Sequence, residues 1–142
     1  TTNKDGLSYR VGTKMQYGGE GLVSTMNDYS KFCQMLVNNG EYNGKIIFKK
    51  SSIEKMTKPY TKENMNDGYY EGVDYAFSFF NFQEPILSGT KASKGIYGWS
   101  GAHNTHFWID PKLKLFGLFM ARTRPFSWDI SKNLISNVYL NL

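Results

Sequence analysis

Side chains able to do chemistry concentrate in one short stretch, Tyr97-Gly98-Trp99-Ser100-Gly101-Ala102, which is followed at once by His103 and His106. Glycines on either side of the Trp99-Ser100 pair suit a strand that another backbone or a ligand approaches closely. His103, in a turn, is a candidate proton carrier near neutral pH, with a solvated or structural role as the alternative. His106 alternates with Thr105 and Phe107 and is expected on the surface of a sheet. As metal ligands the two histidines need companions, and the sequence around them offers no clear carboxylate or thiolate, so no metal site is expected. Gly18-Gly19-Glu20-Gly21 has neither a strand before it nor a Lys-Ser/Thr after it, as a phosphate loop requires. The single cysteine, Cys33, has no partner for an internal disulfide. It falls in the stripe Met26, Tyr29, Phe32, Leu36, where a thiol acts as a small core hydrophobe.

These residues must be held by regular elements, and the pattern predicts an α+β fold, an antiparallel sheet with packed helices. Residues 96–102, 105–110 and 115–121 read as three neighbouring antiparallel strands, with Asp110-Pro111 as a turn between the last two. Upstream, Ser24 or Thr25 caps a helix that Gly40 ends, and a turn at Asn43-Gly44 leads to a brief strand over 45–48. Ser51 and Glu54 form the pattern of a capping box for a short helix over 52–56, which stops before Pro59. Residues 57–72 read as a loop, 75–82 as a strand and 83–95 as a second loop able to border a cleft. From Ser127 a closing helix carries Ile130, Leu134 and Val138 on one face, expected to lie on the sheet.

Gly-Trp-Ser-Gly-Ala at 98–102, Phe-Trp-Ile-Asp-Pro at 107–111 and Gly-Leu-Phe-Met at 117–120 together resemble the C-terminal part of the class C β-lactamase-related family, which includes esterases, D-aminopeptidases and penicillin-binding proteins. The resemblance extends over roughly residues 11–142, taking in Gly18 to Thr25, Gly40-Glu41-Tyr42-Asn43-Gly44-Lys45, residues 74–79 and Asn137-Val138-Tyr139. It implies a serine β-lactamase/transpeptidase-like fold. Catalysis in such proteins uses a Ser-x-x-Lys nucleophile, a Tyr-x-Asn or Ser-x-Asn element and a third motif on a rim strand, often Lys-Thr-Gly.

By that resemblance Trp99-Ser100-Gly101 stands at the third motif, and the backbone N–H of Ala102 is one donor to the oxyanion of an acyl-transfer reaction. Trp99, Ser100, Gly101 and His103 are then substrate-binding. A lysine there can attract the carboxylate of a β-lactam or peptide while an indole cannot, so Trp99 suits a neutral ester or amide better. The first two motifs are expected N-terminal to Thr1, making residues 1–142 one domain that is the C-terminal portion of a longer enzyme with no metal or organic cofactor. Ser52-Ile53-Glu54-Lys55 fits Ser-x-x-Lys on paper, but sits on a late surface helix, and Tyr139-Leu140-Asn141 fits Tyr-x-Asn at a chain-end position that favours a structural role.

Composition narrows the partners. With 40% hydrophobic and 16% aromatic residues the chain can form a core, and any apolar face left open seeks the N-terminal part or a second copy. The net charge of +5 comes from dispersed lysines and arginines, with only Lys49-Lys50 adjacent, so nucleic acid is not an expected partner. No apolar run reaches membrane-spanning length. The competing reading is an inactive binding or self-association module built on the same sheet; the compartment stays open.

Overall fold

A computed structural model of the chain describes residues 22–61 and 71–142. The Gly18 to Gly21 segment and most of the loop expected over 57–72 lie outside the described residues.

Helix α1 (Met26–Val37) begins at Thr25, whose extended backbone lets its hydroxyl accept from the Asp28 N–H at 3.1 Å, satisfying one of the free donors of the first turn. It ends through two left-handed residues, Asn39 at φ 56° and Gly40 at φ 102°. A Cβ at Gly40 would stand 2.1 Å from the Phe48 carbonyl oxygen, so glycine is required there for space as well as for conformation. Next come β1 (Glu41–Tyr42) and β2 (Lys45–Ile46), a two-residue-per-strand hairpin turned by Asn43 and Gly44 at positive φ. The strand expected over 45–48 is cut short because both the Ile47 and Phe48 N–H groups turn back to the Gly40 carbonyl. Helix α2 (Lys50–Thr57) starts earlier than expected, with Lys49 as its cap residue and no side-chain capping bond. The Ser51–Glu54 capping box does not form, since the Lys49 carbonyl already takes the N–H groups of Ser52 and Ile53 and leaves Ser51 inside the first turn.

Five strands make one antiparallel sheet in sequential order: β3 (Val73–Tyr75), β4 (Phe80–Phe82), β5 (Tyr97–Ser100), β6 (His106–Asp110) and β7 (Leu115–Phe119). The single strand expected over 75–82 is thus a hairpin. Ser78 takes φ 59° and the Ala76 N–H bonds the Phe79 carbonyl, a reversal that no glycine, asparagine or proline announces. The loop over 83–95 carries no regular element, as read from its sequence. The three C-terminal strands are neighbours in the expected order, with Tyr97 opposite Ile109 and Trp108 opposite Gly117.

The alternation of side chains along these strands feeds two cores, one on each face. Tyr97, Phe107 and Ile109 join Phe79, Ile53 of α2 and the α1 residues Cys33 and Leu36, while Phe80, Phe82, Ile96 and Trp108 pack on the opposite face with Ile135. Ile135 belongs to α3 (Trp128–Leu140), capped by Ser127, whose hydroxyl accepts from the Asp129 N–H. The face of α3 that meets the sheet centres on Ile135, Leu134 and Val138, so Ile130, expected there too, stays partly exposed. Because helices cover both faces, every residue of β6 is buried. Cys33 is fully buried, and burial pushes its thiol pKa up to about 12.

Three hydrogen bonds to Asp110 fix the sheet's far end. Asp110 accepts at Oδ1 from the N–H groups of Lys112 and Leu113, the turn anticipated at Asp110-Pro111, and at Oδ2 from the Tyr139 hydroxyl at 2.7 Å. Tyr139 therefore has a structural role, tying α3 to the β6–β7 turn. Burial, and then the Asp110 carboxylate, raise its pKa above the ordinary tyrosine range. Among the described residues no helix is long and apolar enough to cross a membrane.

Candidate functional site

The chemistry-bearing segment occupies the C-terminal half of β5 and the turn into β6. Gly98 is obligatory in this strand pair, since a Cβ would lie 2.0 Å from the Phe107 carbonyl oxygen. On one side β5 pairs with β6 along its length, Trp99 opposite Phe107 and Ser100 opposite His106. On the other side the ladder to β4 ends at Phe80 opposite Gly98. Among the described residues no strand pairs Trp99 and Ser100 on that side.

Period-two alternation sends the two rim side chains to opposite faces. Trp99 lies on the α1 face, 44% exposed, edge-on to Tyr75 with ring centroids 6.2 Å apart. Ser100, half-buried, lies on the α3 face beside Phe126, Ser127, Ile130 and Ser131, which line a shallow recess with it.

A tight turn follows. Gly101 donates its N–H to the Thr105 carbonyl at 2.8 Å and accepts at its own carbonyl from the Asn104 N–H at 3.0 Å. Ala102 at the tip is exposed, and no hydrogen bond engages its N–H among the described residues. His103 is half-buried, its carbonyl taking the Thr123 N–H at 3.2 Å.

Two residues organise this strand end, one that the sequence did not mark and one that it placed differently. Asn104 is buried with φ 63° and turned inward. Its amide nitrogen reaches the Thr123 carbonyl, the Thr123 hydroxyl and the Pro125 carbonyl at 3.0–3.1 Å, and its oxygen accepts from the Ser127 N–H at 2.8 Å. One side chain thereby clamps the turn to the entry of α3. His106 corrects the expectation of a sheet-surface residue: it is 4% exposed, stacked on Phe80 and tilted against Trp108, because α3 covers the face it points to. Its Nδ1 lies 2.5 Å from Ser100 Oγ. Desolvation lowers its pKa to about 4, so the ring is neutral at pH 7. The spacing held a signal for this pair, since a five-residue connection between antiparallel strands sets residues six apart face to face, but only once the turn is known. Among the described residues no three His, Cys, Asp or Glu side chains form a group able to hold a metal.

Proteins of known structure share this arrangement of sheet and helices. The chain superposes on a penicillin-binding protein homologue of Caulobacter crescentus with a TM-score of 0.61 at 17% identity, over 78% of this chain and 30% of that one. EstCE1, a hydrolase with promiscuous acyltransferase activity, gives 0.67 at 16% identity over 80% and 29%. A Bacillus anthracis protein described as a 6-aminohexanoate-dimer hydrolase gives 0.55 at 25% identity over 83% and 28%. In sequence, an uncharacterised protein of Mycobacterium tuberculosis is 25% identical over 116 residues, 75% of this chain and 29% of that protein. The fold is that of the β-lactamase/transpeptidase-like α+β proteins. Residues 2–135 match the model of the β-lactamase family, and the chain belongs to that family. It spans less than a third of the length of the relatives it matches.

Proposed function

We propose that this chain is the C-terminal portion of a β-lactamase-related serine hydrolase acting on an ester, amide or peptide through an acyl-enzyme. In this reading the nucleophilic serine and its lysine belong to an N-terminal part of a longer protein. The present residues supply the rim strand, with Trp99, Ser100, Gly101 and His103 against the substrate and the Ala102 N–H as one oxyanion donor. The observation that carries the reading is the edge of β5 at Trp99 and Ser100, unpaired among the described residues, next to a turn whose exposed Ala102 N–H makes no hydrogen bond among them. Acyl transfer needs donors already aimed at the developing oxyanion, and the Ala102 N–H, in a turn closed by the Gly101–Thr105 and Asn104–Gly101 hydrogen bonds, supports that reading. The Trp99 indole, neutral and half exposed, favours uncharged acyl substrates.

Intact mass after exposure to a fluorophosphonate probe tests the division of labour. The 142-residue chain is expected to stay unmodified; a stoichiometric adduct would mean that it holds a nucleophile of its own. In the longer protein, Ala102→Pro removes the donor and is expected to cost about a hundredfold to a thousandfold in ester hydrolysis. A second reading, an inactive self-associating module, draws on the exposed apolar hairpin side chains Ile46, Ile47 and Phe48. Concentration-dependent sedimentation without turnover in the longer protein would favour it.

A further inference from the structure

Ser100 and His106 face each other across β5 and β6, hydroxyl to Nδ1. Both line the recess, Ser100 half-buried and His106 4% exposed with its ring against Phe80 and Trp108 and its Nε2 buried without a hydrogen-bond partner among the described residues. The neutral ring has one N–H to place. At Nε2 it would be a buried donor with no acceptor, which folded proteins almost never tolerate; at Nδ1 it meets Ser100 Oγ, and the orphan is a lone pair, the milder defect.

We propose that His106 is a positioning residue that, protonated at Nδ1, donates to Ser100 Oγ and so turns the Ser100 hydroxyl hydrogen outward, as a donor to a carbonyl or ester oxygen at the rim. The inference rests on the proposed role of the rim as a substrate wall. It adds the direction of the hydrogen bond and the residue that sets it. A serine whose oxygen accepts from an imidazole N–H offers substrate a neutral donor, which matches the absence of a cation at Trp99. The same arrangement prevents Ser100 from acting as a nucleophile activated by His106, since Nδ1 then has no lone pair free to take its proton.

Long-range proton–nitrogen correlation spectra of the 142-residue chain labelled with 15N-histidine read the tautomer directly, with His106 assigned through His106→Asn. The expected result at pH 7 is a protonated Nδ1 and a bare Nε2, with the Nδ1 signal displaced by Ser100→Ala. A bare Nδ1 facing Ser100, an imidazolium, or a fluorophosphonate adduct on Ser100 would overturn the proposal. In the longer protein, Ser100→Ala and His106→Leu should each raise KM for an ester about tenfold, as expected for one lost hydrogen bond, with no further loss in the double variant. His106→Asn, which restores an amide donor, should recover much of the effect. Additive losses, or no recovery by asparagine, would refute the coupling. Absence of any hydrolysis by the unaltered longer protein would instead refute the enzyme reading, and the tautomer would be decided independently.

Discussion

Replacing Asn104 by glycine and by alanine separates two contributions that the native turn combines, side-chain hydrogen bonding and a left-handed backbone. The amide has two hydrogens shared among three acceptors, Thr123 O, Thr123 Oγ1 and Pro125 O, and one oxygen that takes the Ser127 N–H. Truncation therefore removes the equivalent of three hydrogen bonds at a position 3% exposed, where water replaces them poorly. At about 1 kcal/mol each, Asn104→Gly should destabilise the chain by about 3 kcal/mol. Alanine loses the same bonds and must also hold φ near 63°, which costs a residue with a Cβ about 1 kcal/mol more. Glycine's larger loss of chain entropy on folding works in the opposite direction and is smaller than a conformational mismatch of this kind. Urea unfolding followed by tryptophan fluorescence gives the two free energies with a common slope. Equal stability of alanine and wild type would refute the clamp, and alanine more stable than glycine would refute the account of the backbone.

Lowering the pH should weaken the fold through His106. Its folded pKa of about 4 lies below the ordinary value of 6.5, so the unfolded chain binds the proton first; stability is intact above pH 6.5 and falls until about pH 4. The full effect is about 3 kcal/mol, and urea midpoints at pH 7.5 and 5 should converge in His106→Gln; an unchanged pH slope in that variant would assign the effect elsewhere. Gly98→Ala and Gly117→Ala should both destabilise, by about 1–3 kcal/mol or more, because their Cβ atoms would stand 2.0 Å from the Phe107 carbonyl oxygen and 2.1 Å from the Trp108 ring. Gly98→Ala should be the worse, as backbone cannot yield like a side chain, and thermal unfolding checks the order. Cys33, buried with its thiol pKa pushed up to about 12, should react with an aromatic disulfide reagent only at the rate of unfolding; rapid modification of the native chain would contradict its place in the core.

Much of the architecture was legible in the sequence because it rests on local periodicity and on punctuation with a single meaning. Thr25 with Asp28, Asn39-Gly40, Asn43-Gly44, Asp110-Pro111 and Ser127 all act as their residue types dictate, and the three alternating runs after residue 95 form the expected strands. Legibility fails where a neighbouring backbone group outcompetes a side-chain signal, or where a turn carries no signal at all. Ser51 offers a capping box that the Lys49 carbonyl makes redundant, and Ser78 takes a left-handed turn that its own chemistry does not announce.

That residues 97–100 form a strand followed from their order, since the run alternates and Gly98 admits the Phe107 carbonyl at close range. What only the tertiary structure decided is which groups stand behind that rim. The polarity of His106 says surface, yet α3 closes over its face of the sheet, and once water is excluded the ring must be neutral and bonded to Ser100. The polarity of Asn104 says turn, and the turn is there. Its four hydrogen bonds, however, go to residues 123–127, about twenty positions away, which no local pattern could have named because contact across the fold, and not spacing along the chain, brings those groups within reach.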